Sequence, residues 1–361
     1  MNLTRRNALT SGAGTLALGS LAGCLSDGGG DQTGFDAGYA AFFALADWSQ
    51  AVAGEEANIE NPVEYGQLGH GWEPDGDLPR EVASTSAFVY LDTPEFSWAQ
   101  DLAETLDSDY ESVAAIDALD GLEPQMLERD HDHEHDETEG EHNEDDEVHN
   151  ETEDEHHDDE QEHNETEGEH HDDEHNDEAE SASQLDPHVW VDPVLAQEMV
   201  DTIAAGFAEI DPENSETFEA NAADYTERLA ALDAAYQQLV EDADGSTVVL
   251  ASHSSFAYVE DRYDFDIHTV AGVSPDATPS PSEIAGTLDL VDDNGIDVIL
   301  YDRFESDRLA TTIVDNTTAS EAVPITAGAG TTSEWAEEGV GFIEQMQEVT
   351  IPAFRRALGA E

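Results

Sequence analysis

Four histidines lie outside a long acidic segment of this chain, and three of them have the same kind of neighbourhood. His70 lies in the turn GHGWEP, His188 follows Pro187, and His253 comes shortly after an apolar run of strand type. Each belongs to a loop at the end of an α/β element, where open α/β sheets bind their ligands. Three neutral imidazoles from such loops are a ligand set for Zn²⁺, although a single loop histidine is more often an ordinary surface residue. The fourth, His268, alternates with apolar residues, which predicts a strand or surface position.

A fourth metal ligand is less obvious from the sequence. Asp302 follows the apolar run at 296–301 and could reach the same crevice. An ion pair with Arg303 or Arg308 would account for Asp302 equally well, and a water molecule is a third way to complete the coordination of the metal. Asp302 is therefore a candidate ligand beside these two alternatives.

Residues 128–182 form an acidic, histidine-rich insertion with almost no apolar side chains. Within it, HNETEDEHHDDE at 149–160 returns as HNETEGEHHDDE at 163–174. Such a composition cannot build a core, so we expect a solvated, disordered segment. Mixed imidazole and carboxylate groups predict an auxiliary set of weak metal sites, and the alternative is an acidic solvating segment that happens to contain histidine. The eleven histidines concerned are His131, His133, His135, His142, His149, His156, His157, His163, His170, His171 and His175.

The charge balance of the chain is extreme. It has 87 Asp and Glu against 10 Lys and Arg, a formal net charge of -77, and all ten basic residues are Arg. Only 29 of the acidic residues lie between 128 and 180, so the excess extends over the whole surface. The resulting self-repulsion is screened at molar salt, where the Debye length falls to about 3 Å. The composition indicates a halophilic source, and it argues against nucleic acid as a partner because phosphates require a basic face.

The N-terminal residues have the pattern of an export signal. A twin-arginine start at 4–9 precedes a short apolar run, and LAGC at 21–24 resembles the cleavage site of a lipoprotein. We therefore expect a signal at 1–23, lipidation of Cys24, and a flexible tether at 24–35. Cys24 is the only cysteine, which excludes an internal disulfide and any cysteine-based zinc site. The mature protein is expected outside the cell, anchored to the outer face of the cytoplasmic membrane.

The rest of the chain alternates between strand and helix patterns, which predicts parallel α/β sheets. Strands are expected at the start of 38–54 and at 87–91, 247–251 and 296–301, and helices in the remainder of 38–54 and at 99–106, 282–293 and 335–358. Ser282 is the expected N-cap of its helix, and the final helix is expected to be interrupted near Pro352. Between these patterns, apolar residues recur every three to four positions over 211–243, which predicts one long helix of about 28 residues. We predict two α/β lobes, 36–210 and 244–361, joined by this helix.

At three motifs the chain resembles a known family. GHGWEP at 69–74, DPHVWVDP at 186–193 and ASHSSFAYV at 251–259 are similar to motifs of the zinc and manganese solute-binding proteins of metal-uptake ABC transporters, and of their ZnuA-like zinc branch in particular. The resemblance implies two pseudo-symmetric lobes, a rigid connecting helix and one metal in the cleft, with His70, His188 and His253 as its ligands. Many relatives also place an acidic residue before the first histidine or late in the second lobe, where this chain has Gly69 and the acid-free stretch 325–331.

The resemblance implies a function in metal uptake rather than catalysis. The expected protein is a monomeric, non-enzymatic binding component that captures external Zn²⁺ and delivers it to a membrane permease. A manganese-binding homologue is an alternative, although the manganese branch tends to have Glu at the position of His253. A zinc-dependent hydrolase is a rival from another class, but the sequence contains neither an HExxH helix nor a GxSxG elbow. A pure surface metal buffer would leave the two lobes without a purpose.

Overall fold

The computed structural model describes residues 35–110, 112–128, 185–273 and 278–360. The export signal, Cys24, the tether up to residue 34 and the eleven histidines of the acidic insertion lie outside these residues. In the described part of the chain, eight strands form two parallel sheets. Their bounds are β1 Ala37–Ala40, β2 Asn58–Glu60, β3 Ala87–Tyr90, β4 Ala114–Asp117, β5 Thr247–Leu250, β6 Asp266–Thr269, β7 Val298–Asp302 and β8 Glu321–Ile325.

Helices cross over between the parallel strands, as such sheets require. They are α1 Phe43–Ala53, α2 Leu78–Val82, α3 Ser97–Asp109, α4 Pro193–Ile210, α5 Ser215–Asp242, α6 Ala257–Tyr263, α7 Pro281–Asn294, α8 Arg308–Asn316, α9 Ser333–Glu338, α10 Phe342–Gln345 and α11 Ile351–Ala357. Short 3₁₀ turns lie at Pro94–Phe96, Glu123–Gln125 and His188–Val191, and a π turn at Met346–Thr350 joins α10 to α11. None of the described helices is long and apolar enough to cross a membrane.

The two sheets have the same topology. The first runs β2-β1-β3-β4 and the second β6-β5-β7-β8, with every neighbouring pair parallel. Each lobe therefore has its topological switch point between its first and third strands, at the carboxyl ends where ligands bind. This arrangement confirms the prediction of two pseudo-symmetric α/β lobes.

Helix α5 is the predicted long helix and packs against both lobes. Its buried residues recur at helical spacing from Phe218 to Leu239. In the first lobe, Phe218 contacts Phe35 and the hydroxyl of Tyr225 donates to Asp47 at 2.7 Å. In the second, Tyr236 stacks on Tyr263 with ring centroids 4.9 Å apart. One apolar core runs from the first lobe along this helix into the second.

Two local predictions were wrong. Ser280, not Ser282, caps α7, because Pro281 occupies the first helical position and the Ser280 side chain exchanges hydrogen bonds with Glu283 in a capping box. The final helix is broken well before Pro352: α9 ends at Glu338, and the residue that caps it, Gly339, has a positive φ of 72°. Pro352 lies in the first turn of α11, directly after the π turn. The missing N–H of proline is tolerated in a first helical turn, so the helical segment continues through it.

Candidate metal centre

The three predicted ligands meet between the lobes. One ring nitrogen each of His70, His188 and His253 lies within 4.8 Å of the other two, and in the described part of the chain this is the only group of three or more such ligand residues. The Nε2 atoms of His188 and His253 are 3.3 Å apart. All three side chains are buried, although each comes from a different loop.

His188 is positioned by residues of its own motif. The Oδ1 atom of Asp186 accepts from the backbone N–H of His188 at 2.8 Å and contacts its ring Nδ1 at the same distance. Four residues further on, Asp192 caps α4, accepting from the N–H of Val194 at 2.8 Å, and Pro193 follows at the first helical position. The motif DPHVWVDP is therefore a short turn that presents one imidazole and then starts a helix.

His253 lies at the switch point of the second lobe, between the ends of β5 and β7. Its ring Nδ1 makes a hydrogen bond with Glu305, which follows β7. Beside it, the hydroxyl of Ser252 accepts from the backbone N–H of Asp302 at 2.6 Å and so connects the ends of the two strands. Ser252, His253 and Asp302 are all buried, so this lobe places a polar cluster at its switch point.

His70 is held by aromatic rings and by the conformation of its turn. Its ring lies edge to face with Phe96 at 6.0 Å, and the carbonyl of Gly69 accepts from the indole N–H of Trp98 at 3.2 Å. A Cβ atom at Gly69 would come within 2.5 Å of Phe42, so the acidic residue of many relatives has no room at this position. Gly71 has a φ of 71°, a conformation that favours glycine.

The hydrogen bonds to carboxylates determine where the lone pairs of two imidazoles point. Asp186 and Glu305 accept protons, so in the neutral rings Nδ1 of His188 and of His253 is the donor, and Nε2 carries the lone pair. Two lone pairs 3.3 Å apart repel each other unless a cation or a proton lies between them. Two imidazole nitrogens bound to a tetrahedral zinc at about 2.0–2.1 Å are also separated by roughly 3.3 Å. The described geometry therefore matches a zinc site.

His70 is held in the neutral form that metal binding requires. Burial, together with smaller contributions from the neighbouring His188 and His253, lowers its pKa to about 2. Because a protonated imidazole cannot bind a metal, a ring that resists protonation keeps its lone pair available.

Asp302 lies next to this cluster but is not part of the group of three. Burial raises its pKa to about 6, and its carboxylate accepts from the backbone N–H of Phe304 at 2.7 Å. The guanidinium of Arg303 lies over the ring of Trp335 at 4.0 Å, and no ion pair among the described residues joins Asp302 to Arg303 or Arg308. Its role as a ligand stays a prediction.

Sequence reasoning missed the two carboxylates that orient the imidazoles. Asp186 could have been found, because a carboxylate two residues before a histidine can accept from its backbone and ring, and histidine ligands commonly donate to such a group. Glu305 is 52 residues from His253, and only the sheet topology brings the two together. His268 lies in β6, where its Nε2 is 2.9 Å from Thr287 Oγ1, which confirms the expected strand position.

The chain resembles zinc-binding proteins in sequence. The family model for ZnuA, described as zinc-uptake complex component A periplasmic, matches residues 39–350. The zinc-binding lipoprotein AdcA of Streptococcus pneumoniae is 30% identical over 274 residues, which are 75% of this chain and 46% of that protein. The high-affinity zinc uptake system protein ZnuA of Bacillus subtilis is 31% identical over 164 residues, 45% of this chain and 51% of that protein. The chain thus spans about half the length of these curated relatives.

Solved structures agree on the fold. The Zn(II)-bound ZnuA-like domain of Streptococcus pneumoniae AdcA superposes with a TM-score of 0.65 at 24% identity and covers 90% of this chain and 99% of that domain. The metal-dependent lipoprotein YcdH of Bacillus subtilis superposes with a TM-score of 0.66 at 20% identity and the same coverage. Because the family model matches most of the sequence and the two lobes superpose on these structures, the chain belongs to the ZnuA family of zinc-uptake proteins.

Proposed function

We propose that this protein captures Zn²⁺ between its two lobes and delivers it to the permease of an ABC-type uptake system. The observation that carries the proposal is the convergence of three buried imidazoles, His70 and His188 from the first lobe and His253 from the second. A metal that bonds to both lobes is enclosed between them, and family membership supports transport as the purpose of this enclosure.

The donor atoms favour zinc over manganese. Imidazole nitrogen suits Zn²⁺, whereas Mn²⁺ prefers oxygen ligands in an octahedral arrangement. Two of the nearby carboxylates, Asp186 and Glu305, are occupied by hydrogen bonds to the outer nitrogens of His188 and His253. This leaves nitrogen as the main donor at the centre of the cluster, with Asp302 or a water molecule as the fourth ligand.

The cellular setting belongs to the same proposal. Export through the twin-arginine signal and lipidation of Cys24 would hold a monomer at the outer face of the cytoplasmic membrane, within reach of its permease. The acidic insertion at 128–182 would serve as an auxiliary set of weak zinc sites. The acidic surface suits a halophile, and we expect the folded state to require molar salt because screening must relieve the self-repulsion.

Metal titration of the purified full chain in 2–4 M KCl tests the proposal. We expect one tight site for Zn²⁺, weaker binding of Mn²⁺ at that site, and several weak zinc sites that disappear when the insertion is shortened. In the host organism, deleting the gene should slow growth only when zinc is scarce. Equal affinity for the two metals would support the manganese alternative, and zinc-dependent turnover of esters or phosphoesters would support a hydrolase.

A further inference from the structure

The two chain ends that flank the acidic insertion meet on a single phenol hydroxyl of the second lobe. The hydroxyl of Tyr258 accepts from the backbone N–H of Leu127 at 3.0 Å and donates to the carbonyl of Asp186 at 2.7 Å. The ends also contact each other in an antiparallel bridge between Glu128 and Leu185, which includes the hydrogen bond from the N–H of Asp186 to the carbonyl of Leu127 at 2.8 Å. We call these four residues, 127, 128, 185 and 186, the base of the insertion.

This hydroxyl is close in sequence to two of the candidate ligands. Tyr258 lies in α6, five residues after His253, and Asp186 precedes His188 by two residues and contacts its ring. Arg262, one turn further along α6, makes an ion pair with Asp192 at 2.5 Å. Helix α6 of the second lobe therefore contacts the segment that carries His188 on both sides of this histidine, at Asp186 and at Asp192.

The base needs such support because of the length of chain that it closes. Between Glu128 and Leu185 lie 56 residues, whose composition predicts no packed core. The probability that the ends of a flexible chain meet falls with about the 3/2 power of its length, so this closure is roughly 50-fold less favourable than that of a four-residue turn. One antiparallel bridge is a weak closure on its own, and His188 lies only two residues beyond it.

We propose that Tyr258 is a positioning residue for zinc: its hydroxyl holds the base of the insertion closed and thereby fixes His188 relative to His253. The inference rests on the proposed zinc-binding function and adds a role that none of the ligands performs. Burial raises the pKa of Tyr258, so the hydroxyl remains protonated and able to donate to Asp186.

The test compares two tyrosines of the same helix. Tyr258→Phe removes the hydroxyl that contacts the base, whereas Tyr263→Phe removes a buried hydroxyl that donates to Asp233 at 2.9 Å, away from the ligands. Zinc affinity is measured by competition with a zinc-selective dye, with the full chain in excess over zinc so that the tight site fills first. We expect Tyr258→Phe to raise the Kd about tenfold, the scale set by one or two lost hydrogen bonds, and Tyr263→Phe to leave it within about twofold.

A second comparison, made in a protein with a shortened insertion, tests whether Tyr258 acts by closing the base or only by packing in the core. Replacing 129–184 with a four-residue Gly/Ser turn makes closure easy, so Tyr258→Phe in this background should raise the Kd by less than about threefold. The inference is overturned if Tyr258→Phe has no effect in the full chain, if Tyr263→Phe has the same effect, or if the tenfold loss persists with the short turn. Absence of a tight zinc site in the parent chain would overturn the proposed function itself.

Discussion

The two lobes share one topology but use their switch points differently. In the first lobe, the residues that follow β1 and β3 include Phe42 and Phe96, whose rings stack 4.9 Å apart with Trp190 against both. In the second lobe, the equivalent ends of β5 and β7 carry Ser252 with His253 and Asp302 with Glu305. The switch point is therefore lined by aromatic side chains in the first lobe and by polar side chains in the second.

This difference explains how a symmetric scaffold builds an asymmetric site. The first lobe contributes its imidazoles from the connections that follow β2 and β4, at the outer strands of its sheet, and its switch point supports them with aromatic rings. The second lobe contributes its imidazole directly from the switch point, supported by carboxylates. The lobes are also joined beside the site, where the indole N–H of Trp190 donates to the carbonyl of Ala327 at 2.9 Å.

The largest expected effect comes from removing an imidazole from either lobe. If both lobes supply ligands to one metal, His188→Ala and His253→Ala should each weaken zinc binding about a thousandfold, because each removes one of three or four metal bonds. His70→Ala should do the same. The measurement is competition with a chelator of known affinity.

His268→Ala is the matched control, because this histidine lies in β6 and contacts Thr287 instead of the cluster. Its zinc affinity should equal that of the parent protein. Losses confined to the histidines of one lobe would contradict a site shared between the two.

The aromatic side chains at the switch point of the first lobe should contribute to the free energy of unfolding. Phe96 is fully buried, so Phe96→Ala should lower the free energy of unfolding by about 3–5 kcal/mol, measured by denaturant titration at molar salt. Phe304, beside the switch point of the second lobe, is only partly buried and faces Trp335 at 6.1 Å. Phe304→Ala should cost clearly less, and equal costs would remove the contrast between the two switch points.

The two carboxylates that accept hydrogen bonds from the ligand imidazoles, one in each lobe, should act on zinc affinity more than on folding. Asp186→Asn and Glu305→Gln keep the size of each side chain but weaken the hydrogen bond that fixes the donor nitrogen of the ligand. Losing such a partner typically weakens metal binding about 10- to 100-fold. Glu344→Gln changes an ion pair with Arg228 on the surface and serves as the control. If Glu305→Gln and Glu344→Gln gave the same affinity, Glu305 would have no role in orienting His253.

The last expected effect is on the pH dependence of the zinc-free protein. The pKa of His70 is lowered to about 2 in the folded state against about 6.5 when unfolded, so the unfolded state takes up a proton first as the pH falls. The contribution of His70 to the free energy of unfolding is therefore fully present above pH 6.5. Below that pH it decreases by up to about 1.4 kcal/mol per pH unit. Asp302, whose pKa is raised to about 6, contributes with the opposite sign.

Comparing the pH dependence of unfolding in the parent protein and in a His70→Gln variant isolates the contribution of His70. Denaturant titrations of the zinc-free parent and of His70→Gln between pH 7.5 and 4.5 should show a shallower loss of stability in the variant. Identical slopes would mean that His70 is protonated as readily in the folded protein as in the unfolded one.

The sequence predicted those parts of the site and fold that depend on local patterns. His188 was identifiable because the two aspartates of DPHVWVDP each have a local role, Asp186 on the imidazole ring and Asp192 at the helix cap. The long helix was identifiable because its buried residues repeat at helical spacing over 28 residues. Ser280 could also have been identified as the N-cap of α7, since Glu283 follows it at capping-box spacing.

What the sequence did not predict depends on contacts between distant segments. The three-residue strand β2 and the half-buried β4 lack a strong apolar pattern of their own and exist because they pair with β1 and β3. Glu305 and Tyr258 approach the site only after the sheet and α6 have formed. Tyr258 lies in the motif ASHSSFAYV, but the motif does not reveal that its hydroxyl contacts the base of the insertion. Glu305 is of a side-chain type that is common on protein surfaces.

The central claim is that one zinc ion is bound by imidazoles from both lobes, and its coordination can be measured directly. Zinc K-edge X-ray absorption on the full chain, loaded with half an equivalent of Zn²⁺ in molar KCl, reports the ligands of the tightest site. The account predicts a four-coordinate ion with three imidazole nitrogens at about 2.0–2.1 Å, and the loss of one imidazole in both His70→Ala and His253→Ala. A spectrum dominated by oxygen ligands, or one that neither variant changes, would contradict it.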